Sequence, residues 1–309
     1  MKGTIYLLLS AAIWGFALIA QKEGMDSLDA FSFTTIRCFL GAVSMFPLIL
    51  WRTKQLRAKA EASKALATSG ETGLSGEARI SPELEVVPER MYWRAALPCG
   101  IFLTCLILFQ QFGIPYTTVG KAAFITALYI PIIPLLERLS GKRISRRVWL
   151  SVAVTMVGVY LLCFTDGLSG FGFGDLCMVG AAVMASLQVL AVDKWAHRVD
   201  PVKLSYYQFV IVGLICLPLM LIFSDVTFAA IKASLIPLLY AGIFSCGLGY
   251  TFQVVGQRYA PPARAAILMS TETVFSLIAG MIFYQEIMSL VEYLGCAIMF
   301  AGVVLSQKE

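Results

Sequence analysis

Residues 119–136 read VGKAAFITALYIPIIPLL, and residues 262–279 read PARAAILMSTETVFSLIA. A shift of 143 residues aligns the two stretches, so that Lys121 matches Arg264 and a basic residue opens the same helix in both. Residues before them match at the same shift: Gln110 with Gln253, Gly113 with Gly256, and Tyr116 with Tyr259. The chain therefore contains an internal repeat.

The earlier part of each copy matches at a longer shift. Arg37 falls on Gln208 and Pro47 on Pro218 at a shift of 171 residues, and a polar insertion at 52–92 accounts for the difference. Each copy holds five apolar segments. Because five is odd, the second copy must cross a membrane in the opposite sense, as in the inverted repeats from which many secondary transporters are built.

Composition indicates the same class. Hydrophobic residues make up 59% of the chain and charged residues 14%, whereas soluble proteins average about 45–50% and about 25%. Ten apolar runs have the length of membrane helices. We predict an all-α membrane protein whose ten transmembrane helices form two inverted five-helix repeats. The predicted spans are 4–21, 33–51, 93–114, 119–137, 148–164, 175–195, 203–223, 234–257, 263–284 and 290–306.

The repeat also predicts the domain boundaries. Residues 1–164 form the first five-helix repeat, which carries the cytoplasmic insertion 52–92. Residues 165–174 form an external linker, and residues 175–309 form the second, inverted repeat.

Basic residues predict the orientation. If the N-terminus is cytoplasmic, 20 of the Lys and Arg residues lie at inside ends and loops, against Lys22, Lys121 and Lys232 outside. The positive-inside rule therefore places both termini in the cytoplasm, with the protein in the inner (plasma) membrane. This topology accounts for the net charge of +5, so no nucleic-acid partner is predicted.

The chain resembles the EamA-type carriers of the drug/metabolite transporter superfamily over nearly its whole length outside 52–92. The second copy carries the features of that family's module: the proline step at 261–264, Glu272 in mid-helix, Glu286 after the helix, and Gly295 and Gly302 in the last span. The first copy resembles it through residues 119–136 and the closing VGVYLL at 157–162. Two positions depart: Thr273 stands where many relatives have proline, and Arg143 where the module ends with glutamate.

The resemblance implies two helical bundles around a central cavity. It also implies that small polar or amphipathic metabolites cross the membrane by alternating access. We expect amino-acid-like or amine compounds as substrates, moved by export or exchange, with protons as a coupling ion.

Glu272 is the deepest carboxylate, about ten residues into the ninth span. Burying a carboxylate in a membrane costs several kcal/mol unless it is paired or protonated. One interpretation is a group that exchanges a proton or binds a substrate ammonium. The alternative is a structural ion pair with Arg37, the intramembrane cation.

Four neutral side chains are predicted to bind substrate together with Glu272. Trp14 lies in the middle of the first span, Tyr129 is the repeat mate of Glu272, and Thr126 and Gln188 supply hydrogen-bonding groups. An indole can stack on an aromatic ring or bind a cation. The alternative for each is packing or hydrogen bonding between helices.

Five further polar residues are predicted gate or coupling groups: Arg37, Gln110, Lys121, Gln253 and Arg264. Headgroup anchoring and helix capping are alternative roles for the last four. Arg37 either attracts an anionic substrate group or holds a helix in place.

Motifs for other chemistry are missing from the sequence. The chain has one histidine, His197, and no CxxC or ATP-binding motif, so we predict no catalytic residue, metal or cofactor. The predicted partners are a small-molecule substrate, the lipid bilayer and protons. Three alternatives stay open: an uncoupled facilitator of small solutes, a membrane enzyme acting on lipids, which is disfavoured, and a signalling or assembly subunit.

Overall fold

The structure is a computed structural model that describes residues 2–68, 87–117, 119–163, 172–285 and 289–307. The described residues form helices and connecting turns, with no strand among them. The α-helices are α1 (Lys2–Met25), α2 (Ala30–Thr68), α3 (Glu89–Gly113), α4 (Val119–Thr126), α5 (Tyr129–Leu139), α6 (Arg146–Cys163), α7 (Phe173–Ala196), α8 (Pro201–Phe223), α9 (Phe228–Ala233), α10 (Leu235–Leu239), α11 (Tyr250–Gln257), α12 (Pro262–Met269), α13 (Glu272–Tyr284) and α14 (Leu290–Gln307).

Eight helical stretches of the described chain are long and apolar enough to cross a membrane. They correspond to eight of the ten predicted spans; the two that do not qualify are 119–137 and 148–164. Large apolar side chains such as Val43, Leu221 and Ile222 are exposed on the outside. Because a lipid bilayer solvates such side chains, this surface fits an integral membrane protein.

Helix α2 is much longer than the predicted span 33–51, since it continues without a break to Thr68. Arg52 lies just beyond the apolar part and pairs with Asp200, with 2.9 Å between Nε and Oδ2. Asp200 is also the N-cap of α8, where its Oδ1 accepts hydrogen bonds from the backbone N–H groups of Val202 and Lys203. The ion pair therefore joins the polar extension of α2 to the start of α8.

The predicted single span 119–137 is broken into α4 and α5. Pro131 has no N–H to donate to the carbonyl of Ala127. That carbonyl instead accepts from Ile130 N–H at 2.9 Å, which tightens the turn. The prediction of one continuous helix is corrected here, because proline removes a hydrogen bond that the helix needs.

The equivalent span of the second copy is broken at the same place, between α12 and α13, without a proline. Here hydroxyl groups bind the preceding carbonyls: Ser270 Oγ donates to Ile267 O at 2.8 Å, and Thr271 Oγ1 to Leu268 O at 2.7 Å. Such bonds compete with the helical ladder. Thr273 Oγ1 likewise donates to Ser270 O. The two copies therefore reach one geometry by different chemistry.

The predicted span 234–257 is also irregular. A π-helical segment, Tyr240–Gly249, lies between α10 and α11. It is rich in small residues, and α1 and α2 pack against it. A π-helix is rare and frequently marks a functional site.

The helices pack mainly across the two halves of the chain. Helix α3 packs on α7 and α8, α2 on α8 and the π segment, and α6 on α14. Helix α1 packs on α11, α13 and the π segment, and α5 packs on α7 and α12. The largest cluster of buried apolar side chains includes residues from most of these helices. The interior is therefore shared between the halves.

Asp29 stabilises the connection between α1 and α2 through hydrogen bonds. Its carboxylate accepts hydrogen bonds from the backbone N–H groups of Phe31 and Ser32, from Ser32 Oγ, and from Ser224 Oγ at 2.6 Å. Partial burial by itself raises the pKa of Asp29, but the bonds from Ser224, Ser32 and Phe31 outweigh it, so the net pKa is lowered.

Replacing Asp29 by alanine is expected to cost about 1 kcal/mol at neutral pH, because a helix cap is lost. The pKa of Asp29 in the folded protein lies below the usual pKa of an aspartate. The carboxylate therefore stabilises the fold above that value, and its contribution is lost as the pH falls through the lowered pKa. Thermal unfolding of the wild type and of Asp29→Ala should converge in acid. Asp26→Ala, in the same loop, is the control and should change little; equal losses in both variants would contradict the prediction.

Candidate functional site

A cavity of about 100 Å³ lies at the centre of the helices. Its walls come from both halves of the chain: α1 to α5 on one side, and α7, the π segment and α11 to α13 on the other. The lining combines aromatic, amide and charged side chains with aliphatic ones. Such a mixture is typical of a binding site for a small amphipathic molecule.

Glu272 lines this cavity as the first residue of α13. The helix break just before it points the N-terminal end of α13, with its positive dipole, at the carboxylate. Within the described part of the chain, no ion pair joins Glu272 to Arg37 or to any other cation. The structural ion pair considered from the sequence is therefore not formed among these residues.

Arg37 lines the same cavity from α2 and is 4% exposed. Its guanidinium lies over the ring of Phe33, with 5.4 Å from Cζ to the ring centroid. Its Nε has no hydrogen-bond partner among the described residues. A buried donor without a partner is costly, so this guanidinium is available for an anionic group in the cavity.

Trp14 both lines the cavity and packs against a neighbour. Its ring lies on Tyr250 with 4.6 Å between centroids, and Tyr250 in turn meets Phe209 edge-on at 5.1 Å. The indole Nε1 approaches Gly249, where an added Cβ would lie 2.8 Å away. That nitrogen has no hydrogen-bond partner in the described structure. Trp14 therefore presents an aromatic surface and an unused donor.

Tyr129 and Thr126 also line the cavity, at the break between α4 and α5. The Tyr129 hydroxyl donates to the backbone carbonyl of Ala266 at 3.2 Å, which joins α5 to α12. The Thr126 hydroxyl donates to Met178 Sδ at 3.5 Å. Each hydroxyl group thus forms a hydrogen bond within the protein, and each side chain also lines the central cavity.

A chain of buried glutamines forms one side of the cavity. Gln253 Nε2 donates to Gln188 Oε1 at 3.0 Å, and Gln188 Nε2 donates to Gln208 Oε1 at 3.1 Å. One helical turn beyond Gln253, Gln257 Nε2 donates to Val189 O at 2.9 Å. These bonds join α7, α8 and α11. Gln21 and Gln110, at the opposite side of the cavity, are partly exposed.

The structure brings most of the predicted site residues together. Eight of the ten line the central cavity: Trp14, Arg37, Gln110, Thr126, Tyr129, Gln188, Gln253 and Glu272. Arg264 does not, since it lines a second cavity at the start of α12. The side chain of Lys121 lies outside the described residues.

Sequence reasoning missed several residues of the cavity wall: Leu18, Gln21, Ser245, Cys246, Tyr250 and Met269. Leu18 and Gln21 lie four and seven residues after Trp14, and this spacing puts them on the same helix face. That signal was present in the sequence. Ser245 and Cys246 belong to the π segment. An α-helical spacing of 3.6 residues per turn does not predict which side of a π-helix faces the cavity.

The chain has the features of an integral membrane protein with a central polar cavity. The model of the EamA-like transporter family matches residues 1–76 and 172–307, which is more than half of the chain. The chain therefore belongs to the EamA-like transporter family, and it is a membrane transporter.

Similar proteins agree with this family. An uncharacterized transporter of Archaeoglobus fulgidus is 24% identical over 301 residues, which cover 97% of this chain and 83% of the relative. The uncharacterized transporter YwfM of Bacillus subtilis is 22% identical, over 99% of this chain and 94% of the relative. A protein of known crystal structure shares the fold with a TM-score of 0.75 at 16% identity, covering 98% of this chain and 97% of that one.

Proposed function

We propose that the protein is a secondary transporter that moves small amino-acid-like or amine metabolites by alternating access, in export or exchange. The observation that carries the proposal is Glu272, which faces a central cavity and has no cationic partner among the described residues. A carboxylate so placed needs either a proton or a cationic substrate group. Alternate occupancy by the two would couple transport to protons.

We further propose ten membrane-crossing segments in two inverted repeats, 1–164 and 175–309, with 52–92 as a cytoplasmic insertion. The packing supports a two-fold relation between the copies. The repeat mates are α1 and α7, α3 and α11, and α5 and α13. The contact of α3 with α7 is matched by that of α11 with α1, and the contact of α5 with α7 is matched by that of α13 with α1. The pairs α2–α8 and α6–α14 join each helix to its own mate, and the contact of α5 with α12 joins the two mated spans 119–137 and 263–284.

In this topology both termini lie in the cytoplasm, as the positive-inside rule requires. The buried glutamine chain is then on the cytoplasmic side of the cavity, and Gln21 and Gln110 are on the external side. The external pair is partly exposed while the glutamines are buried, which supports the proposal that this conformation is the externally accessible one. Transport then requires the glutamine chain to separate.

The charges suggest how a substrate would be oriented. Glu272 offers an anion to a substrate ammonium, and Arg37 offers a cation to a carboxylate from another wall of the same cavity. Trp14 and Tyr250 line the same cavity and supply an aromatic surface for an apolar side group. An amine satisfies the first contact, and an amino-acid-like zwitterion satisfies both.

The proposal is tested by thermal stabilisation of the detergent-purified protein with amines, amino acids and sugars at a neutral and an acidic pH. A ligand that binds only the folded state raises its apparent stability by mass action. We expect amines and zwitterions to stabilise at neutral pH and to lose the effect in acid, because protonated Glu272 cannot pair with an ammonium. Stabilisation by neutral sugars alone would contradict the proposal.

Flux in proteoliposomes separates the coupled carrier from the uncoupled facilitator, which we retain as the second candidate. An imposed pH gradient drives uphill movement of the stabilising solute in a proton-coupled carrier. In a facilitator, the solute only equilibrates at a rate that is independent of the gradient.

A further inference from the structure

A second cavity, separate from the central one, lies where the starts of α6 and α12 meet the end of α14. Its volume is about 560 Å³, and three arginines line it: Arg146, Arg147 and Arg264. Val148 and Leu305 form an apolar wall beside them, and among the described residues the lining includes no aspartate or glutamate. The cavity therefore concentrates positive charge next to an apolar surface.

Arg146 and Arg264 come from different halves of the chain. Among the residues that the structure describes, neither forms an ion pair. Like charges around one cavity repel each other, and the repulsion is relieved when an anion binds between them. Guanidinium groups bind phosphate oxygens in a bidentate manner, which favours phosphate over a simple halide.

The start of α6 adds to the attraction for an anion. Helix α6 has 18 residues, and its N-terminus begins at Arg146 on the edge of the cavity. Ser145 Oγ accepts a hydrogen bond from Val148 N–H at 3.3 Å and so caps this end. The helix dipole places partial positive charge here, in addition to the arginines.

We propose that this cavity binds a phosphate group, and that the phosphodiester of an anionic phospholipid is the source that fits it best. Arg146 and Arg264 would contact the phosphate, while Val148 and Leu305 would contact the beginning of an acyl chain. Basic pockets between membrane helices are known to bind acidic lipid headgroups. Free phosphate or a soluble phosphate ester shares the same headgroup chemistry but makes no use of the apolar wall.

The position of the cavity connects it with the central site. Helix α12 starts here and ends at the break that precedes Glu272. A phosphate held by Arg264 would restrain the first turn of this short helix. The bound lipid is therefore expected to stabilise the wall of the central cavity without contacting the substrate.

The test compares three forms of the purified full chain: wild type, Arg146→Gln/Arg264→Gln, and the control Arg90→Gln/Arg94→Gln. Arg90 and Arg94 are exposed at the start of α3 and lie outside this cavity. Each form is melted in detergent with phosphatidylglycerol, with phosphatidylcholine, or with inorganic phosphate. Native mass spectrometry counts the lipids that stay bound.

We expect phosphatidylglycerol, but not phosphatidylcholine, to stabilise the wild type and the control. The Arg146/Arg264 variant should bind it about tenfold or more weakly, since each basic residue near an anionic lipid contributes appreciably. Stabilisation by inorganic phosphate as strong as that by phosphatidylglycerol would assign the same site to a soluble phosphate. Equal responses of all three forms, or no response to any anion, would overturn the proposal. If the double variant does not fold, the two single substitutions carry the same comparison.

Discussion

Glu272→Gln is expected to reduce binding and transport of amine or amino-acid-like substrates by at least about thirtyfold, because a close pair of opposite charges in a buried site contributes about 2 kcal/mol or more. Glutamine has nearly the same shape, so the cavity should keep its form. The neutral amide cannot pair with an ammonium as strongly and cannot exchange a proton. Coupling to a pH gradient should disappear together with affinity.

The same substitution should leave thermal stability unchanged or raise it. Within the described chain Glu272 has no ion-pair partner, and an unpaired carboxylate at this depth is costly. A residue that served only a structural ion pair would behave in the opposite way, since removing one partner of a buried pair is strongly destabilising. Function and stability therefore move in different directions if Glu272 is a binding group.

The measurements are ligand-induced stabilisation and proton-driven flux, each repeated on Glu89→Gln as a control. Glu89 is exposed in the first turn of α3 and does not line the cavity. It should behave as the wild type in both assays. Unchanged proton-driven flux in Glu272→Gln would contradict proton coupling through Glu272. A large loss of thermal stability would support a structural role for Glu272.

Gly15→Ala is expected to destabilise the protein by about 1–3 kcal/mol, the usual cost of overpacking. A Cβ at this position would lie 2.5 Å from Phe275 Cβ and 2.8 Å from the carbonyl oxygen of Glu272. These atoms belong to or adjoin the backbone of α13, so α1 and α13 would have to separate. Because Trp14 and Glu272 sit on these two helices, transport should fall with stability.

The expected loss of stability has the opposite sign to the effect of helix propensity. Within a helix, alanine is normally more favourable than glycine by about 0.5–1 kcal/mol. Gly172→Ala is the control for an added methyl group without a clash, because Gly172 lies at the N-cap of α7 and a Cβ there meets nothing within 4 Å. Unfolding of the two variants should show a clear loss for position 15 and a smaller loss for position 172, where alanine is only a poorer N-cap than glycine. A neutral or stabilising Gly15→Ala would show that the two helices do not pack as described.

Much of the candidate site was predictable because the repeat pairs equivalent helix positions of the two copies. Tyr129 and Glu272 are mates at the shift of 143 residues, and in the structure each is the first residue of a half-helix and lines one cavity. The breaks themselves were not predicted. One depends on Pro131, which a membrane helix can also tolerate without breaking, and the other on hydroxyl groups that also occur in unbroken helices.

The π segment limited the prediction in a different way. A π-helix closes its hydrogen bonds over five residues instead of four. The residues after Tyr240 are therefore rotated relative to an α-helical wheel, which is why Cys246 and Tyr250 were not recognised as lining residues. No spacing rule applied to the sequence alone reveals where such a segment begins.

The sequence by itself determined that this is a helical membrane protein, and it predicted two related halves and a depth for each polar residue. Those properties depend on apolar length, repeat spacing and charge, which are local or periodic quantities. The tertiary structure alone decided which residues of equal predicted depth share a cavity, because that depends on the rotation and packing of each helix. Arg37 thus lies in the central cavity, whereas Arg264, also chosen from its place in the repeat, lies with Arg146 in another.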